Sequence, residues 1–294
     1  MSTHAPKTVS LVLGAGGARG LAHIGVIQWL LEHGYEIRSI AGSSMGALVG
    51  GIYATGKLTA YSEWVLALER IEVLRLLDPA FGRAGLFKGE RVIEVLRELI
   101  GDAEIAELPV SFTAVAMELE SGKEIWLREG KLFDAIRASI AIPLLFTPSC
   151  VGGRTLVDGG LVNPVPIAPT LNDSTDLTIA VSLGGRYEPE PAPPPSAPIP
   201  STNPYRQRIR TFIESLTSGR EDVSAPPGMI DVALRSFEAM ENTIARLKQA
   251  AYSPDAIIEI PRNACRIHEF WRAEEMIALG RERAERVIGN GEAR

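Results

Sequence analysis

Gly42-Ser43-Ser44-Met45-Gly46 puts one serine between two glycines, each two positions away. The apolar run Ile37 to Ala41 precedes it, and small and apolar residues at helical spacing follow. That is the layout of a nucleophile elbow, in which a strand ends, the chain turns sharply at one residue, and a helix begins. The turn strains the backbone at Ser44, so Gly42 and Gly46 must be nearly free of side chain. A serine at a helix start also faces unpaired N–H groups and the positive end of the dipole, which favour an alkoxide-like oxygen. The same spacing would serve a plain glycine-rich turn in which Ser43 or Ser44 only caps the helix.

Two further stretches carry chemistry. Thr8 to Leu13 reads as a short buried strand running into Gly14-Ala15-Gly16-Gly17-Ala18-Arg19-Gly20, after which Leu21, Ile24, Ile27 and Leu30-Leu31 fall on one helical face. A glycine-rich turn between strand and helix aims consecutive N–H groups at one point, which suits an anion. One reading is an oxyanion hole built from Gly14, Gly16 and Gly17, with Arg19 adding positive charge, holding the loop, or pairing on the surface. The other is a dinucleotide fingerprint with Glu36 as the ribose-binding acid, although its third glycine position is occupied by Arg19. Downstream, Thr155 to Asp158 is an apolar strand ending in an aspartate, and Gly159-Gly160 lets backbone pass close beside it.

In this order, the glycine loop, the Gly-x-Ser-x-Gly elbow and Asp158-Gly159-Gly160 resemble the patatin-like phospholipases. Ile136-Arg137-Ala138-Ser139-Ile140-Ala141-Ile142-Pro143, with Phe146 and Pro148 beyond, is similar to that family's third block. The resemblance is strong over residues 8 to 185, and the tail from Asp231 is similar to that of short single-domain bacterial members. It implies a three-layer α/β/α fold with a mostly parallel central sheet. It also implies a Ser44–Asp158 dyad that hydrolyses lipid acyl esters with no metal or other cofactor, in transient contact with a membrane surface. One departure is Ala15, where the family has glycine; alanine adopts positive φ only at a cost, so either that position needs none or the loop is rebuilt.

The elements that must hold these residues divide the chain into a catalytic core (7–185), a Pro-rich loop and short helix (186–228), and a helix–strand–helix tail (229–290) completing the same domain. Residues 7 to 60 alternate strand and helix, which implies parallel pairing. A single helix is expected over Tyr61 to Leu77 with its apolar face in the core, another over Glu90 to Ile100, and a hairpin joining Val110–Glu118 to Lys123–Arg128. The Phe81 to Phe87 loop is expected either to line an acyl cleft or simply to pack. Leu132 to Ser139 reads as helix and Leu177 to Leu183 as a buried strand. Eight prolines between Glu188 and Pro204 preclude helix or sheet there, and Arg206 to Ser218 reads as a short helix. Met229 to Ala251 is read as a long helix with Ile230, Ala233, Leu234, Phe237, Met240, Ile244 and Leu247 on an apolar face wide enough to serve a homodimer. A last strand (Ala256 to Ile260) and a closing helix (His268 to Val287) follow.

Composition bounds the function. The 294 residues are 46% hydrophobic, ample for a buried core, and the net charge of −6 argues against a nucleic-acid partner. No apolar run is long enough to span a membrane, and no signal-like segment opens the chain. Two cysteines, Cys150 and Cys265, form neither a ligand cluster nor a disulfide framework and read as buried reduced thiols of a cytoplasmic protein. Two other readings compete with the dyad. Ser44, Asp158 and His268 follow the chain order of an α/β-hydrolase triad, and the fold without catalysis would be a nucleotide-binding or regulatory module.

Overall fold

A computed structural model describes residues 5–80, 85–189 and 229–290. The chain divides into two compact units, residues 1–188 with 237–294, and residues 189–236. The Phe81–Ala84 part of the expected cleft loop, the prolines from Pro191 on, and the helix expected over Arg206–Ser218 lie outside the described residues.

The described strands form one mixed sheet. Its parallel part is β3 (Ser111–Glu118), β2 (Glu36–Ser43), β1 (Thr8–Leu13), β7 (Leu177–Gly185) and β8 (Ala256–Pro261), side by side in that order. Three short strands are antiparallel: β4 (Glu124–Leu127) on β3, β6 (Arg154–Asp158) on β3, and β5 (Ser149–Val151) on β6. The helices are α1 (Ala22–Glu32), α2 (Met45–Ala54), α3 (Leu58–Ala67), α4 (Arg70–Arg75), α5 (Glu90–Ile100), α6 (Leu132–Ser139), α7 (Met229–Tyr252) and α8 (Ala273–Ala284). Side-chain alternation along β1 separates two cores, because successive residues of a strand point to opposite faces. Val9, Leu11 and Leu13 join the larger core with residues of α1, α2 and α8. Val12 joins the smaller one with Val165, Ile167, Ala180 and Ala245 of α7. The mostly parallel sheet is thus covered by helices on both faces. No helix among the described residues is long and apolar enough to cross a membrane.

The pairing of β3 decides how the site is assembled. Ala114 and Val115 pair with β2 on one side and β4 on the other, whereas Ala116 pairs with Ile125 of β4 and with Asp158 of β6. A strand has only two edges. β2 and β6 therefore run along the same edge of β3 from opposite directions and meet end to end, with Ser43 opposite Val115 and Asp158 opposite Ala116.

Met240 and Leu247, read on the apolar face of α7, are exposed. The structure departs from the sequence expectation in three places. The single helix expected over Tyr61–Leu77 breaks at Leu68 and restarts as α4 behind a capping box of Glu69 and Glu72, which leaves Leu66, Ile71 and Leu74 exposed. His268 stands ahead of the closing helix, which starts at Ala273. Cys150 is exposed rather than buried, because it lies on the short strand β5.

Candidate active site

Ser44 caps α2 at φ 53°, ψ −123°, one of three non-glycine residues at positive φ among those described. Glycine is required two positions to either side. A Cβ on Gly42 would collide with the Gly46 backbone, and one on Gly46 with the Leu13 carbonyl. The strained turn is held from below by Ser139 on α6, whose Oγ accepts the Ser44 N–H at 3.0 Å and donates to the Val115 carbonyl at 2.6 Å. The sequence places Ser139 in the stretch similar to the family's third block but does not indicate that it supports the elbow. Strain of this kind costs on the order of 1–3 kcal/mol and persists only where neighbours over-determine it, as Ser139 does here.

Asp158 ends β6 beside the elbow, on the edge of β3 that β2 has just left. Its Oδ1 accepts the Gly160 N–H at 2.7 Å. Its Oδ2 is buried and takes no hydrogen bond of good geometry among the described residues. Burial pushes this carboxyl up from 3.8 to about 7, against the Ser44 hydroxyl and the Gly160 N–H, which both favour the charged form. Ser44 and Asp158 are each only 3% exposed. Gly159 fits because a Cβ there would meet the Val115 carbonyl and Ser43 Oγ.

The glycine loop differs in detail from the sequence expectation. Gly14 is not available as an oxyanion donor, since its N–H bonds to the Val181 carbonyl at 3.0 Å. Ala15 donates to the Pro164 carbonyl at 2.8 Å and is not at positive φ; the left-handed residue of the loop is Gly17, at φ 59°. Ala15 therefore needs no glycine. Among the described residues, nothing accepts the N–H groups of Gly16 and Gly17. Arg19 is buried and turned back on the loop, with Nε donating to the Gly16 carbonyl at 3.1 Å and Nη1 to the Arg262 carbonyl at 2.6 Å and Glu238 at 2.7 Å. A guanidinium committed in this way, with Glu238 as its counter-ion, braces the loop and is turned away from a substrate oxyanion.

The other expected participants sit elsewhere. Glu36 pairs with Thr8 at the start of β1, at the opposite end of the sheet from the glycine loop, and its carboxylate is bound to Arg38 at 2.8 Å. It cannot serve a ribose held at the loop. His23 is fully buried with Nε2 2.9 Å from the Gly14 carbonyl, and burial lowers its pKa to about 4. It is a neutral support for the loop. His268 packs against the Trp271 ring, with centroids 5.9 Å apart. No described histidine hydrogen-bonds to either Asp158 oxygen. Among the described residues, no group of three or more His, Cys, Asp or Glu side chains is gathered as a metal site.

The sequence model of the patatin-like phospholipases matches residues 11–171. An uncharacterized NTE family protein of Mycobacterium tuberculosis is 38% identical, over 95% of this chain and 91% of that protein. A patatin-like phospholipase domain-containing protein of Caenorhabditis elegans is 31% identical over 62% of this chain and 14% of its own length. Among solved structures, VipD from Legionella pneumophila aligns at 14% identity and a TM-score of 0.42, over 98% of this chain and 68% of that one.

Proposed function

We propose that this chain, which belongs to the patatin-like phospholipase family, is a serine hydrolase that cleaves acyl esters of lipids with Ser44 as nucleophile and Asp158 as its base. The observation that carries the reading is the pair itself. A serine strained at a helix N-terminus stands beside a buried carboxyl whose pKa of about 7 matches the demand on a general base at neutral pH. The Ser44 oxygen bonds to the ester carbonyl carbon while its proton passes to Asp158 Oδ2, which has no other partner among the described residues. The charge that develops on the carbonyl oxygen meets the unengaged N–H groups of Gly16 and Gly17, each worth about 2.7–4 kcal/mol at a preorganised oxyanion. The proton returns through Asp158 to the leaving alcohol, and a water deprotonated by the same carboxylate releases the acyl group. A lipid substrate brings transient contact with a membrane surface.

The absence of a histidine on the described bonds of Asp158 favours this dyad over a triad, in which an imidazole N–H would occupy the carboxylate. The test is covalent labelling by a fluorophosphonate together with hydrolysis of a short soluble acyl ester. Wild type is expected to label at Ser44 and turn over, and folded Ser44→Ala to do neither. Turnover retained by Ser44→Ala would remove Ser44 from the mechanism.

A further inference from the structure

One face of α7 is polar where it meets the loops at the strand ends. Glu238 is ion-paired with Arg19 at 2.7 Å, the Asn242 side chain presses on Gly184, and Ala245 is buried in the smaller core. Those positions have the spacing of one helical stripe, and Glu241 lies on it. A methyl placed on Gly160 would sit 3.0 Å from Glu241 Oε1, 3.1 Å from Asp158 Oδ1 and 2.9 Å from the Ala15 Cβ. The two carboxylates therefore flank the same glycine, with Glu241 lodged between the Asp158 turn and the loop after β1. The Glu241 side chain forms no hydrogen bond among the described residues.

We infer that Glu241 is a positioning residue of the Ser44–Asp158 site, its carboxyl coupled by charge to that of Asp158 across Gly160. This rests on the proposed hydrolase reading. The groups facing Glu241 are Asp158 from β6, Arg19 from the turn after β1, and Glu238 from its own helix. Burial first, then the charge of Asp158, push Glu241 up to about 8; Glu238 adds to this and Arg19 opposes it. Asp158 titrates just below it, at about 7. Two acids this close lose protons as a pair. In the monoanion Asp158 is free to accept the Ser44 proton while the neighbouring carboxyl stays neutral, so the pair disfavours two adjacent negative charges around neutral pH. Ionisation of Glu241 at higher pH sets a second negative charge beside Asp158 and raises its proton affinity. Both Gly160, which leaves room for the second carboxyl, and Arg19, which limits its charge, fit this role.

Two measurements test it. Thermal melting of wild type, Glu241→Gln, Asp158→Asn and the double variant, followed from about pH 4.5 to 9, reads the pair without any need for turnover. A carboxyl raised in the folded state loses stability as pH climbs from its unfolded value to its folded one. Glu241→Gln should accordingly gain nothing at the acid end and progressively more up to about pH 8. In the Asp158→Asn background that gain should level off about one pH unit or more lower, because the like charge is gone. An identical pH dependence in both backgrounds would overturn the coupling. The second measurement is the rate of fluorophosphonate labelling against pH. Wild type should show two ionisations and folded Glu241→Gln one. Superimposable profiles would reduce Glu241 to a packing residue. Wild type that never labels would sink the hydrolase reading and the positioning role with it, while the melting cycle still decides the coupling of the two carboxyls.

Discussion

Asp158→Asn should inactivate the protein and stabilise it, by an amount that depends on pH. The folded carboxyl titrates at about 7, raised from 3.8 by burial. That difference is roughly 3 pH units, and at ~1.4 kcal/mol per unit the ionised form costs the fold about 4 kcal/mol at high pH. The sign follows from linkage. Between its unfolded and folded values the native state binds more protons than the unfolded one, so stability is fully present below about pH 4 and is lost as pH rises toward 7. Asparagine keeps an oxygen to accept the Gly160 N–H but never ionises, so it avoids this loss. Its NH₂ group must find an acceptor where Oδ2 stood, with Ser44 Oγ the nearest choice, and an imperfect match would subtract ~1–2 kcal/mol. The net gain is about 2–4 kcal/mol at pH 8, and near pH 4, where no ionisation is avoided, the balance is about zero to −2 kcal/mol. At ~2 °C per kcal/mol for a chain of this size, that is a rise of about 4–8 °C in Tm. Calorimetry at pH 4.5, 6 and 8 on both proteins is the assay, beside ester hydrolysis at pH 8. A stability difference that is flat with pH, or an Asn variant less stable at pH 8, would show that Asp158 is not a buried acid held near neutrality.

Ser139→Ala should lower kcat by tenfold or more and cost ~1–3 kcal/mol, because the buried Ser44 N–H then has no acceptor and the strained elbow can relax. Denaturant unfolding and ester kinetics on the same preparation check both numbers, and unchanged kcat would mean that the elbow holds itself. His268→Ala should leave kcat/KM within a few-fold of wild type, since its ring contact is with Trp271 and not with Asp158. A loss of about a thousandfold in a folded variant would restore the triad.

Much of the site was legible in the sequence because the demands there are local. A strand that must turn at one strained residue needs small neighbours, so Gly42 and Gly46 mark the elbow wherever the rest of the chain goes. An aspartate that must look into a crevice needs slim residues after it, hence Gly159 and Gly160. The alternation of strand and helix in the first 60 residues likewise fixed the parallel part of the sheet, with β1, α1, β2 and α2 as expected.

What the tertiary structure decided involves partners far apart in the chain. The sequence marked Asp158 but not the antiparallel run of β6, and so could not say that β2 and β6 meet on one edge of β3. That meeting is what brings Ser44 beside Asp158. The glycine run suggests Gly14 as a third oxyanion donor, but the Val181 carbonyl takes its N–H; of the roles the sequence leaves open to Arg19, its contacts with Gly16, Arg262 and Glu238 match holding the loop. The same limit explains α7. Hydrophobic periodicity reports the apolar face of a helix, so it picks out Met240 and Leu247 on α7 and gives no signal for Glu238 or Glu241. Here the sheet ends present a buried arginine and a buried carboxyl, and the helix turns its acidic face to them while the methionine and leucine stay in water. Periodicity carries the polarity of a surface but not the charge of what it will meet, and only the packed chain supplies the second.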